Sequence, residues 1–89
     1  MTVRRRLRAH GRVQGVFFRD SLRRAAGREG VAGWAANRDD GTVEAVLEGE
    51  AEAVEKLVEL CRNGPGHADV ERLDVVEEQP EGLHGFDVG

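Results

Sequence analysis

Eighty-nine residues with a formal net charge of −4 and 39% apolar content are enough for one two-layer core, so a single domain spanning residues 1–89 is expected. One cysteine, Cys61, excludes an intramolecular disulfide framework, and no apolar run approaches the roughly 20 residues of a membrane span. The basic start, Met1-Thr2-Val3-Arg4-Arg5-Arg6, has no apolar stretch behind it that would make a secretory leader, so a cytoplasmic protein without membrane partners is the expectation.

Thr2–His10 predicts a strand. Val3, Leu7 and Ala9 share one face, Arg4, Arg6 and Arg8 share the other, and Arg5 interrupts the apolar side. Gly11–Val16 predicts a loop. From about Arg19 to Arg28 the period turns helical, with Phe18, Leu22, Ala25 and Ala26 at i, i+4, i+7 and i+8. Gly30 can end that helix in a left-handed cap. Val31–Asn37 and Thr42–Glu48 predict two strands joined by Arg38-Asp39-Asp40-Gly41, which is hairpin chemistry. The helix over Glu50–Arg62 is the clearest element. Val54, Leu57, Val58 and Cys61 form its apolar stripe, and Glu52 stands four residues before Lys56. Asn63-Gly64-Pro65-Gly66 stops it. Val70–Glu77 predicts a fourth strand, and Phe86 with Val88 a short final one. The order is β-α-β-β-α-β. It predicts an α+β, ferredoxin-like two-layer sandwich: an antiparallel sheet with two helices on one face, the other face wet.

Gly11-Arg12-Val13-Gln14-Gly15-Val16-Phe17-Phe18-Arg19 joins the first strand to the first helix. A helix N-terminus offers unpaired N–H groups and partial positive charge, and a glycine-containing loop can turn consecutive N–H groups inward as an anion nest. Arg19 adds a planar fork that can hold two oxygens, although an arginine in a first turn opposes the helix dipole. Residues 1–38 sum to +8 and residues 39–89 to −12, so an anion fits the basic half, and the acidic half argues against broad nucleic-acid binding. Spacing alone leaves two readings open: a phosphate cradle, or a tight turn with a solvated arginine.

The 11–19 segment resembles the signature of the acylphosphatase family. Gly33-Trp34-Ala35-Ala36-Asn37, followed by Gly41, Val43 and Gly49, is similar to a second signature of that family, and Gly64-Pro65 with Ala68 and Val70 to the segment before its fourth strand. The resemblance runs over nearly the whole chain. It implies hydrolysis of the carboxyl-phosphate anhydride of small acyl phosphates. It implies that Arg19, with the backbone of Gln14, Gly15, Val16, Phe17 and Phe18, binds the phosphate, and that Asn37 orients the attacking water. No metal or cofactor is expected, and a monomer is expected. The chain departs from the pattern at Ala36, where relatives often carry a basic residue, and Arg12 and Arg38 are the candidates to replace that charge. It also lacks the basic residue often found near the family's C-terminus.

Other residues carry weaker signals. Ser21 has no nucleophile elbow around it. Cys61 lies on an apolar stripe and reads as a small buried hydrophobe. His10, His67 and His84 are too dispersed for a metal site. Trp34 and Phe17 are expected in the core, and the arginines of the first strand on an exposed face. The alternative function is a non-catalytic anion- or RNA-binding module on the same fold, but three Phe, one Trp and no Tyr are few for an RNA-stacking sheet.

Overall fold

The computed structural model describes residues 1–89. The elements run β1 (Thr2–Arg12), α1 (Phe18–Glu29), β2 (Ala32–Asn37), β3 (Val43–Glu50), α2 (Ala51–Asn63), β4 (Asp69–Glu78) and β5 (Phe86–Val88). The sheet order is β4-β1-β3-β2-β5. The pairs β1–β3, β1–β4 and β2–β3 are antiparallel, as the βαββαβ plan requires. The short β5 adds one parallel pairing, Gly33–Ala35 with Phe86–Val88, so the complete sheet is mixed.

The helical stripes read from the sequence are the buried ones. Phe18, Leu22, Ala25 and Ala26 of α1 and Val54, Leu57, Val58 and Cys61 of α2 pack on the sheet face formed by Leu7, Ala9, Ala35, Ala45 and Leu47. Each large apolar side chain taken fully out of water contributes about 1.5–3 kcal/mol, so these faces fix both helices to one side of the sheet. Arg5, which breaks the apolar alternation, lies half-buried on that side and extends its guanidinium to Glu55 and Glu77 at the margin. Gly30 closes α1 with a φ of 69° and a bond from its N–H to the Ala26 carbonyl region of the last turn.

Strand β1 runs two residues beyond the predicted His10 because a bulge between His10 and Gly11 lets pairing with β4 continue. Gly11 is required there: a Cβ would lie 2.5 Å from the Asp69 carbonyl oxygen.

The opposite sheet face is not the wet surface expected of it. Arg4 and Arg6 on β1 meet acids on both flanking strands, and Arg8 meets one on β3 and one in the hairpin before it. Arg4 pairs with Glu48 and Glu78, Arg6 with Glu44 and Glu78, and Arg8 with Asp40 and Glu44. Arg4 is only 3% exposed. The charge split between the halves of the chain is thus used up largely in cross-strand pairs. Register sets one row as Glu78, Arg4, Glu48 and Ala32 across four strands. The connection from β4 to β5 is held on this row, with the N–H groups of Glu81, Gly82 and Leu83 donating to the Glu48 carboxylate. Trp34, expected in the core, also lies on this face, half-buried between the guanidinium groups of Arg6 (5.6 Å) and Arg38 (5.5 Å). The strand parity explains it: Trp34 alternates with core-facing Gly33 and Ala35.

Candidate active site

β1 and β2 both run antiparallel to β3, so they point the same way. Their C-terminal ends share one edge of the sheet. The glycine loop leaves β1 at that edge, and Asn37 is the last residue of β2 there, paired with Val43.

The loop winds so that its backbone donors are left over. Gly15 has a φ of 71° and Phe17 a φ of 65°, both left-handed. Phe17 is the only non-glycine residue with positive φ, a conformation costing an L-residue about 1–2 kcal/mol. Phe17 also precedes α1 without giving it a side-chain cap. The N–H groups of Gln14, Gly15, Val16 and Phe17 find no backbone acceptor, and the first-turn N–H groups of α1 follow them. A run of unpaired donors next to strained backbone at a helix start is a cradle for an oxyanion.

Arg19 stands in the first turn of α1. Its guanidinium donates to the carbonyl oxygen of Gly89, and Gly89 in turn donates its N–H to Ala35 on β2 at 3.0 Å. This contact orients Arg19, which pairs with no side-chain carboxylate. The nearby Asp20 is occupied: its carboxylate pairs with Arg23 at 2.7 Å and Arg24 at 3.1 Å, which hold it below the ordinary carboxyl range. A cavity of about 290 Å³ opens here, lined by Val13, Gly15, Phe17, Phe18, Arg19, Asp20 and Val88.

Two contacts fix the loop from outside. The Gln14 side-chain amide donates to the carbonyls of Arg38 (2.8 Å) and Thr42 (2.9 Å), tying the loop to the β2–β3 hairpin directly after Asn37. From the other side His67 donates its N–H to the Val16 carbonyl at 2.9 Å, and its ring meets Phe17 edge-on at a 6.0 Å centroid separation. Gly66 sits so close behind the loop that a Cβ would fall 2.6 Å from the Val16 oxygen and 2.9 Å from the Phe17 oxygen.

The predicted residues thus gather at one edge but differ in what they present. Val16 and Phe18 bury their side chains, so only their backbone can face a ligand. Phe17, expected in the core, is 66% exposed. The left-handed turn that frees its N–H swings the ring outward beside the cavity. Asn37 is exposed at the same edge but does not line the cavity of Arg19. Arg38 does not supply the charge missing at Ala36: it is bound to Glu44 at 2.6 Å and stacked on Trp34. Gln14 as a tether and Gly66 as a buttress were not legible, because both act on groups far away in sequence.

The comparisons with known proteins agree with this geometry. The acylphosphatase family model matches residues 5–88. An acylphosphatase of Rubrobacter xylanophilus is 57% identical over 98% of this chain and 80% of its own length. An acylphosphatase of Thermococcus kodakarensis is 55% identical over 97% of this chain and 94% of its own. The crystal structure of the Bacillus subtilis acylphosphatase superposes with a TM-score of 0.92 at 39% identity, covering 100% of this chain and 99% of that one. With a strained, unpaired-donor loop and an arginine free of side-chain carboxylates set on this frame, and with relatives that match almost end to end, the chain belongs to the acylphosphatase family.

Proposed function

We propose that Arg19 and the Gln14–Arg19 backbone hold the phosphoryl group of an acyl phosphate while Asn37 positions the water that attacks it. Family membership supports acyl-phosphate hydrolysis; the division of labour is what the resemblance to the family implies, and the gathering of these residues at one sheet edge supports it. Water oxygen attacks phosphorus in line, the bond between phosphorus and the acyl oxygen breaks, and the carboxylate leaves with its electron pair. An amide holds water but is a weak base, so the water's proton passes to a phosphoryl oxygen of the substrate. Products are a carboxylate and inorganic phosphate. Such a reaction needs positioning and charge stabilisation more than covalent chemistry. The N–H groups and guanidinium meet the charge on the equatorial oxygens.

The observation that carries this reading is the convergence of unpaired loop donors with an arginine that no side-chain carboxylate pairs, at the edge where β2 ends in Asn37. The alternative RNA-binding role finds no platform: the outer sheet face carries ion pairs, and Trp34 is covered by two arginines. The test is steady-state hydrolysis of an aryl acyl phosphate by Arg19→Lys and Asn37→Ser. Each loses roughly 10²–10³-fold in kcat/KM, the scale of one lost transition-state donor. Near-normal turnover in both folded variants refutes the assignment.

A further inference from the structure

The reaction leaves a costly feature unused. Glu48 and Arg4 have side chains 3% and 4% exposed, and they pair at the end of the sheet away from the glycine loop. A buried ion pair commonly stabilises no better than an apolar pair of similar volume. Stability therefore gives no sufficient reason for this one.

What the carboxylate holds gives a better reason. One Glu48 oxygen accepts the N–H of Glu81 at 2.8 Å, and the other accepts those of Gly82 at 2.7 Å and Leu83 at 2.9 Å. Arg4 reaches the first oxygen at 3.3 Å and also holds Glu78, where this connection begins, at 2.9 Å. The connection has no helix or strand of its own and leads into β5. Gly33 then donates to the Gly85 carbonyl at 2.9 Å, β5 pairs with β2, and Gly89 donates to Ala35. Gly89 is the residue whose carbonyl receives Arg19. A three-residue parallel ladder is too short to fix its own position along a neighbour. Its position is set by how the preceding segment is anchored.

We propose that Glu48 is a positioning residue for Arg19, clasping the 81–83 backbone so that β5 carries Gly89 to the point where it aims the guanidinium. This rests on Arg19 being the phosphate-holding group. A carboxylate suits the task because it offers two acceptor oxygens and no donor. A glutamine offers one acceptor and turns an NH2 group toward N–H donors.

The test uses Glu48→Gln, Glu81→Pro, which deletes one of the three donors along with an exposed carboxylate 3.8 Å from Arg4 and keeps the Glu48 carboxylate, and Leu57→Ala, which destabilises the core away from this path. Inorganic phosphate is titrated calorimetrically, and KM and kcat are measured with an aryl acyl phosphate. In Glu48→Gln and Glu81→Pro the phosphate Kd and the KM rise together by roughly 2- to 30-fold, the range of coupling carried through packed contacts, while kcat falls less. Leu57→Ala lowers the melting temperature and leaves both constants unchanged. A purely structural Glu48 behaves as Leu57 does, and that result overturns the proposal. Coupling is reciprocal, so phosphate binding to the unmutated protein also slows amide exchange at Glu81, Gly82 and Leu83. Unchanged exchange there overturns the proposal even if neither variant folds. Titration and exchange need no turnover. A protein that binds phosphate and protects 81–83 but hydrolyses nothing refutes the reaction and leaves the clasp standing.

Discussion

Replacing Gly66 by alanine perturbs the phosphate loop from behind without altering any group proposed to face the ligand. Two effects separate cleanly. Gly66 has a φ of 67°, so any L-residue there costs about 1–2 kcal/mol in backbone strain. The added Cβ also meets the Val16 carbonyl oxygen at 2.6 Å and the Phe17 carbonyl oxygen at 2.9 Å, where ordinary contact begins near 3.4 Å. The loop must retreat by about 0.8 Å at Val16, the difference between those two distances. Displacements approaching 1 Å in a positioning element can cost about 10²-fold in rate, so kcat/KM falls roughly 10- to 100-fold. Gly30→Ala is the control: its φ is 69°, with nothing within 4 Å of the new Cβ. Both variants lose stability to the left-handed conformation, on the order of 4–8 °C in melting temperature per kcal/mol for a domain of this size. Only Gly66→Ala loses activity. The assay pairs thermal melts with aryl acyl phosphate hydrolysis. If Gly66→Ala keeps the catalytic constants of Gly30→Ala, the loop is not held from behind, and the reasoning is wrong.

Gln14→Ala removes the tether between the loop and the hairpin after Asn37, and Gln14→Glu sets a carboxylate against two carbonyl oxygens. Both lower kcat more than they weaken inorganic phosphate binding, Gln14→Glu the more severely; equal losses in both quantities would show that the tether serves binding only. Burial alone would raise the carboxyls of Glu44 and Glu48. Arg38 and Arg6 at the first, and the N–H groups of 81–83 with Arg4 at the second, outweigh it and hold both below the usual 4.5. A depressed folded-state value contributes stability above the unfolded one, so the melting temperature changes little from neutral pH down to about 4.5 and falls below it as these groups protonate. Melting curves between pH 7 and 3 check this, and a rise on acidification contradicts it. Cys61 is fully buried and its thiol is pushed up to about 12 by desolvation. A thiol reagent at pH 8 therefore labels it only through opening of the fold, and immediate labelling of the folded protein contradicts that burial.

The sequence made most of the frame legible because its signals are local. The stripes of α1 and α2 and the hairpin at Arg38–Gly41 each declare themselves within a dozen residues, and all lie where expected. The glycine loop and Asn37 lie at the element ends expected of them, but spacing left their role open, and it was the resemblance to the family that proposed one. What escaped depends on partners far along the chain. Glu48 alternates in its strand like any solvated glutamate, and its burial comes from N–H donors more than 30 residues away. Trp34, expected in the core, is placed on the other face by strand parity and two arginines. Phe17 was misplaced because its backbone adopts a conformation that phenylalanine rarely takes.

β1 lies between β3 and β4, and its arginines draw partners from both. Arg4 and Glu78 are 74 residues apart. Strand β1 is thus completed only by β4, the fourth strand in chain order. β1 can meet β3 before β4 is available, but until then its other edge and the partners that β4 supplies are missing. Contacts this non-local add loop-closure entropy before they add stability, and they favour slow, all-or-none folding. A growing chain therefore carries an arginine-rich, half-paired strand until Glu78 is available, and the sheet closes only when β4 docks on β1.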